Sequence, residues 1–216
     1  MFAMILALVT SCLTYAQEHA EGSHHEFSDA NRWAKVFESP ERTKWQKPDE
    51  VVSALKLQPG QMVIDIGAGT GYFTRRFAKM VAPSGEALGL DIEPAMIDYM
   101  KVDAEKLGLK NYHARLVKPD DPDLAPQSVD VVFFCDTIHH MDDRVAYFRM
   151  LANALKPDGR VIVIDFKKEP LPVGPPPEDK LSRDQVLAEL RSAGYRLARD
   201  HDFLPYQYFL EFEPEK

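Results

Sequence analysis

Two adjacent histidines, His139 and His140, follow the acid Asp136 in the stretch CDTIHHMDDR. Upstream, Asp65 stands just before a bend built from Gly67, Ala68, Gly69 and Gly71 in VIDIGAGTGYF. An imidazole titrates near neutrality, so either histidine is a candidate proton acceptor. Each also has a plainer use, packing against or capping the next helix. In the bend, Gly67 and Gly69 let a ligand approach the backbone where a Cβ would collide with it, and Gly71 lets the following helix pack close. The positive end of that helix then faces the ligand.

The glycine spacing separates two kinds of ligand. A dinucleotide site wants Gly-x-Gly-x-x-Gly, with the helix terminus free for a pyrophosphate. Here the third glycine comes one residue early, and Tyr72 at the dinucleotide position is not small. Asp65 would repel a pyrophosphate but suits a cationic amino-acid moiety. Asp91 closes the next apolar run, about 20 residues on, where an acid hydrogen-bonds ribose hydroxyls. Together these residues predict a nucleoside-like ligand that carries a positive group.

The elements that must position them alternate between strand and helix patterns from Ser28 onward. That order predicts an α/β, doubly wound parallel sheet with helices on both faces. QMVIDIG reads as the first strand and GYFTRRFAKMV as its helix. EALGLDI is a second strand, and PAMIDYMKVDAEKLG is a helix with Pro94 in its first turn and Gly108 at its end. NYHARLV gives a weaker third strand, and SVDVVFFCD is apolar throughout, as a central parallel strand requires. DRVAYFRMLANALKPDG predicts a helix stopped by Pro157 and Gly159, ahead of a fifth strand, RVIVIDF. EPLPVGPPPEDK is too proline-rich for either element. Ser182 caps the helix RDQVLAELRSAG, and YRLARDHDFLPYQYFLEFEP reads as two strands joined by a turn around Pro205. Ser28 to Leu57 should supply one or two helices covering the sheet.

The stretches VIDIGAGTGYF, GLDIEPAMID, LVKPDDPDLAPQSVDVVFFCD and LKPDGRVIVIDF resemble class I S-adenosylmethionine-dependent methyltransferases, and the likeness runs from about Trp33 to the end. That resemblance implies a Rossmann-like, mostly parallel seven-stranded sheet with an antiparallel last strand, and S-adenosylmethionine as cofactor. It also implies that Gly67, Ala68, Gly69 and Gly71 form the cofactor turn with Asp65 nearby. Asp91 would take the ribose hydroxyls, Ile92 would pack on the adenine, and Asp120 would accept from the adenine amino group. KPDDPD departs from the family pattern after that acid, so Asp120 and Asp121 are hard to tell apart. Asp136 would hold the methionine side or the acceptor, and His139 or His140 would take the acceptor's proton. Trp45 or Lys47, in ERTKWQKP, would contribute to a lid, and PLPVGPPP would wall the acceptor pocket or serve as a stiff connector.

Bulk properties narrow the partners. The chain has 216 residues, enough for one domain with a sizeable core. A formal net charge of −8 without a basic run disfavours a nucleic acid or an anionic membrane surface. With 2 cysteines, Cys12 and Cys135, a disulfide scaffold is excluded, and Cys135 reads as a small buried residue. Residues 1–16 look like an export signal, too short to span a bilayer, and VTSC resembles the bacterial lipoprotein box that lipidates its cysteine, here Cys12. An exported, periplasmic or secreted enzyme is the expectation if that signal is real, and a cytoplasmic one otherwise. Residues 17–28 form a polar linker whose His19, His24, His25 and Glu26 could bind metal but read more simply as a solvated tether. Residues 29–216 are then the domain with its helical cover. The leading expectation is methyl transfer to a small molecule. A nicotinamide-dependent oxidoreductase and a non-catalytic S-adenosylmethionine-binding module are the alternatives.

Overall fold

A computed structural model describes residues 29–215. The candidate leader, the linker histidines and Cys12 therefore lie outside the described residues. Three short helices come first: α1 (Ala30–Phe37), α2 (Pro40–Gln46) and α3 (Pro48–Ala54). Asp29 caps α1 by accepting from the Arg32 N–H at 3.0 Å, and Ser39 caps α2 through the Arg42 N–H at 3.3 Å. The sequence pattern leads to one or two helices here, and there are three because Lys47 turns left-handed, with φ 46°, and ends α2. Pro48 opens the next helix at once.

The sheet follows. Its strands are β1 (Met62–Ile66), β2 (Glu86–Asp91), β3 (Tyr112–Leu116), β4 (Val129–Cys135), β5 (Leu155–Phe166), β6 (Tyr195–His201) and β7 (Gln207–Pro214). They form one 7-stranded sheet in the order β3-β2-β1-β4-β5-β7-β6. β1 to β5 run parallel, and β7 is antiparallel to both of its neighbours. Strand order reverses between β1 and β4, the place where open sheets of this kind leave a crevice at their carboxyl ends. The intervening helices are α4 (Thr74–Val81), α5 (Pro94–Leu107), α6 (Arg144–Ala154) and α7 (Arg183–Ser192).

One boundary differs from its sequence pattern. The helix before β5 stops at Ala154, and Pro157 and Gly159 belong to the strand. The register shifts there, with Val129 opposite Leu155 and Val131 opposite Arg160. A bulge takes up the proline, which has no N–H to give the ladder.

Alternation along the strands divides the core into two layers. Val63, Phe133 and Ile162 face α3, α4 and α5, whereas Ile64, Phe134 and Val163 face α6 and α7. Buried acids interrupt this pattern at the penultimate places of β1 and β5. Asp65 lies on the first layer's face, and Asp165 lies on the second beside its cross-strand partner Tyr208.

Gly71 shows what the turn after β1 demands. Its φ is +76°, and a Cβ there would lie 1.7 Å from the Tyr112 hydroxyl and 3.0 Å from Met100. The missing side chain thus makes room for β3 and α5 as well as for the helix that follows. Gly71→Ala should lower stability by at least about 2 kcal/mol, from overpacking plus backbone strain. Adding Tyr112→Phe, which removes the clashing oxygen, should recover part of the loss in urea denaturation. Equal stability of Gly71→Ala and the native chain would refute this packing account.

Candidate active site

The turn between β1 and α4 sits over buried charge. Asp65 is 3% exposed, and its Oδ2 accepts a hydrogen bond from the Thr74 hydroxyl at 2.6 Å. Burial, with the nearby charge of Asp91, pushes its pKa up to about 7 against the opposing effects of Thr74 and Arg42. Asp91 closes β2 and accepts from the Gly69 N–H at 2.8 Å and the Glu93 N–H at 3.0 Å. Burial raises it too, although these backbone bonds favour the ionised form. Each Asp91 oxygen keeps acceptor capacity for a further donor. Beyond it, the Ile92 side chain is 51% exposed, an apolar surface at the same strand end.

The cradle is bordered by groups from elsewhere. Gly67 has φ +70°, and a Cβ on it would fall 2.4 Å from the Thr137 side chain. Gly69 faces the Phe37 ring of α1, with Ala68 buried between the two glycines. Arg75 of α4 fastens this cover: it donates to both Glu38 oxygens at 2.8 and 2.7 Å, to the Thr70 carbonyl at 2.7 Å, and pairs with Asp103 at 2.9 Å. Asp120 and Asp121 are both exposed in the loop after β3. Asp121 accepts from the Asp123 N–H at 2.8 Å and so shapes its own turn. The structure does not bring Asp120 into the buried cluster.

On the other side of the crevice, Asp136 follows β4 in a left-handed conformation, φ 56°. Its Oδ1 accepts from the Gln207 amide at 2.6 Å, and Arg42 lies 3.7 Å from its Oδ2. Burial raises its pKa, with Arg42 opposing. Arg42 also donates to the Gln46 Oε1 at 3.3 and 3.2 Å and to the Phe37 carbonyl at 3.1 Å, and it stacks 4.5 Å over the Tyr72 ring. Gln46, fully buried, passes the chain on to Gln207 at 2.7 Å. Cys135 contacts this network through Gln46 and Asp136, and burial holds its thiol well above the usual range, which leaves it protonated rather than nucleophilic.

The two histidines part company. His139 Nδ1 donates to both oxygens of Asp165, at 2.8 and 2.9 Å, and the two side chains are 4% and 1% exposed. Burial works to lower the imidazole pKa, but the charge and hydrogen bond of Asp165 win and raise it. With Nδ1 spent as donor, Nε2 carries the free lone pair. His140 is exposed, its ring 4.1 Å from that of His139.

Arg42, Gln46, Gln207 and Asp165 are the members that residue-by-residue reading passes over. Asp165 did leave a signal: VIDF repeats the pattern of VIDI around Asp65, an acid at the penultimate place of a buried strand. Trp45 and Lys47 are fixed beside the network. Trp45 rests 5.7 Å from Phe166 and 6.2 Å from Tyr206, and Lys47 donates to the Phe203 carbonyl at 3.1 Å. Among the described residues, no group of three or more potential ligands could hold a metal ion, and no helix is long and apolar enough to cross a membrane.

The donor set suits a nucleoside joined to a cationic amino-acid group. Buried carboxylates line a side-chain-free turn, and the charge of the Arg42 guanidinium is felt at Asp65. Comparison with known proteins agrees in kind. Residues 57–198 match the family described as a methyltransferase domain. The ubiquinone/menaquinone biosynthesis C-methyltransferase UbiE of Ectopseudomonas mendocina (strain ymp) is 27% identical over 91% of this chain and 82% of its own length. Phosphoethanolamine N-methyltransferase 3 of Arabidopsis thaliana is 32% identical, over 52% of this chain and 24% of its own. A SAM-dependent methyltransferase from Aquifex aeolicus superimposes with a TM-score of 0.80 at 28% identity, covering 88% of this chain and 98% of that one.

Asp65 gives the ligand-free protein a defined pH response. Its folded pKa, about 7, exceeds the ordinary 3.8, so folding takes up a proton between those values. This group's contribution to stability is therefore greatest below about pH 4 and declines as pH rises through 7. Asp65→Asn should flatten that decline and stabilise the ligand-free protein at pH 8 by on the order of 2 kcal/mol. Urea titrations at pH 5 and pH 8 measure it. A variant that is less stable than the native chain at pH 8 contradicts the assignment.

Proposed function

The chain belongs to the methyltransferase-domain family and is a class I S-adenosylmethionine-dependent methyltransferase, and from that premise we propose that it methylates a small molecule whose proton is taken by His139. The observation that carries the base assignment is the paired geometry of His139 and Asp165 at the carboxyl ends of the strands. The nicotinamide alternative gives way to family membership. The relatives' names support a small acceptor, since both denote small-molecule chemistry, but one denotes a C-methyltransferase and the other an N-methyltransferase. The acceptor atom is therefore not carried over.

When bound, S-adenosylmethionine supplies an electrophilic methyl group on a sulfonium. In this reading Asp65 and Arg42 would hold its amino-acid end, and Gly67, Ala68, Gly69 and Gly71 would allow the close backbone approach. Asp91 would accept from the ribose hydroxyls. Ile92 would cover the adenine, and Asp120 remains the candidate for the adenine amino group. Arg42 and Gln207 fix Asp136, whose charge is felt at His139 and would also suit the cationic ligand. Asp165 orients the imidazole, and Nε2 takes the acceptor's proton. Positioning supplies much of the remaining rate, since near-attack geometry can be worth roughly 7–11 kcal/mol at best.

His139→Ala should cut kcat roughly 10²- to 10⁴-fold with unchanged cofactor affinity, while His140→Ala keeps most of the turnover. A base must be neutral to act, so activity should rise with pH through a midpoint above the ordinary histidine value of 6.5. Asp165→Asn should move that midpoint down as well as lower kcat. An active His139→Ala enzyme, or an unmoved midpoint in Asp165→Asn, would remove His139 from the role.

A further inference from the structure

The mechanism above leaves one buried cation unused. Lys180 ends the proline-rich loop between β5 and α7 and is 1% exposed. Its Nζ donates to the Glu169 carbonyl at 2.9 Å and lies 5.8 Å from the centre of the Phe166 ring. Among the described residues no carboxylate comes within ion-pair distance of it, although the charges of Glu169 and Asp165 are felt there. An ammonium withdrawn from water without a counter-ion is costly, and burial lowers its pKa accordingly. One neutral carbonyl satisfies one of its three N–H donors.

Its position gives the unused charge a meaning. Asp165, which accepts from His139, is also a charge felt at Lys180, so the lysine stands on the side of the site that the candidate base occupies. Phe166, beneath Lys180, is also the ring on which Trp45 rests, and Trp45 reaches Tyr206. The loop backbone presses on the same ring: a Cβ on Gly174 would lie 2.7 Å from Phe166. An aromatic wall with a buried, counter-ion-free ammonium at its edge matches a ligand with a flat apolar body and one negative group.

We propose that Lys180 is the seat for an anionic group, a carboxylate or a phosphate, on the methyl acceptor, beside the wall formed by Trp45, Phe166 and Tyr206. This rests on the methyltransferase reading and specifies which acceptors it admits. Binding of such a group supplies the missing counter-ion and converts the lysine's lone carbonyl contact into a charge-assisted pair.

The test uses the full chain saturated with S-adenosylhomocysteine and three aromatic probes: benzoate, phenyl phosphate and the neutral benzamide. Calorimetry first establishes nucleoside binding, and ligand-observed NMR then ranks the probes. At least one anion should bind about tenfold or more tighter than benzamide, the worth of one charge-assisted bond. The better of the two anions identifies the source of the charge. Lys180→Met should erase the preference, Lys180→Arg should retain it, and both should keep native nucleoside affinity. Should the Met variant not fold, Lys180→Gln carries the same comparison. No preference for either anion in the native chain, or a preference that survives loss of the lysine, overturns the proposal. Absent nucleoside binding overturns the methyltransferase reading itself, and this assignment with it.

Discussion

Negative charge withdrawn from water at one end of a single sheet is the condition the rest of the molecule answers to. Asp65, Asp136 and Asp165 sit near the carboxyl ends of three parallel strands, where apolar neighbours give them little solvation. A buried carboxylate is tolerated only if hydrogen bonds or opposite charge replace the lost water. Each therefore draws a partner from another element: Thr74 at the start of α4, Arg42 and Gln207 from α2 and β7, and His139 from the turn after β4. The cover helices and the C-terminal hairpin are held to the crevice by the same contacts that make it chemically useful.

Those contacts also explain the division of labour between the sheet's faces. Asp65 shares its face with α4 and α5, and Asp165 shares the opposite face with α6 and α7. At the crevice between β1 and β4, the first acid lies on one face of the sheet and the second on the other. Asp136 stands between them in a backbone conformation that costs on the order of 1 kcal/mol or more for a residue with a side chain. Its network holds it there: Gln207, Gln46 and Arg42 form a continuous chain of bonds in which no member is left without a partner.

What the sequence made legible was local. The glycine turn with Asp65 and Asp91 lies within one strand–turn–helix–strand stretch, so its chemistry is written in consecutive residues. The central strands β1, β4 and β5 were equally readable, because buried parallel strands are nearly all apolar, whereas β3, with polar residues at partly exposed places, gives a weaker pattern. Arg42 was not readable, since nothing near it in the chain announces that it reaches Cys135 and Asp136 at the end of β4. His139 and His140 looked alike as neighbours, and only the fold, by turning one ring toward β5, distinguishes them. Pro157 and Gly159 were misleading for a related reason. They punctuate a helix in isolation, yet a sheet can absorb them in a bulge.

The pairing of β5 with β7 reaches further than the sheet. Phe166 stands opposite Gln207, and Asp165 opposite Tyr208. Because side chains alternate faces along a strand, sliding β7 by one position would turn Gln207 away from Asp136 and put Tyr208 on the wrong side. The connection from Asp202 to Tyr206, which leads into that pairing, is held by lysines from outside it. A one-residue change in its length would pull the Phe203, Leu204 and Pro205 carbonyls from Lys47 and Lys167, the contacts that tie the approach to Gln207 against the cover helix and the end of β5.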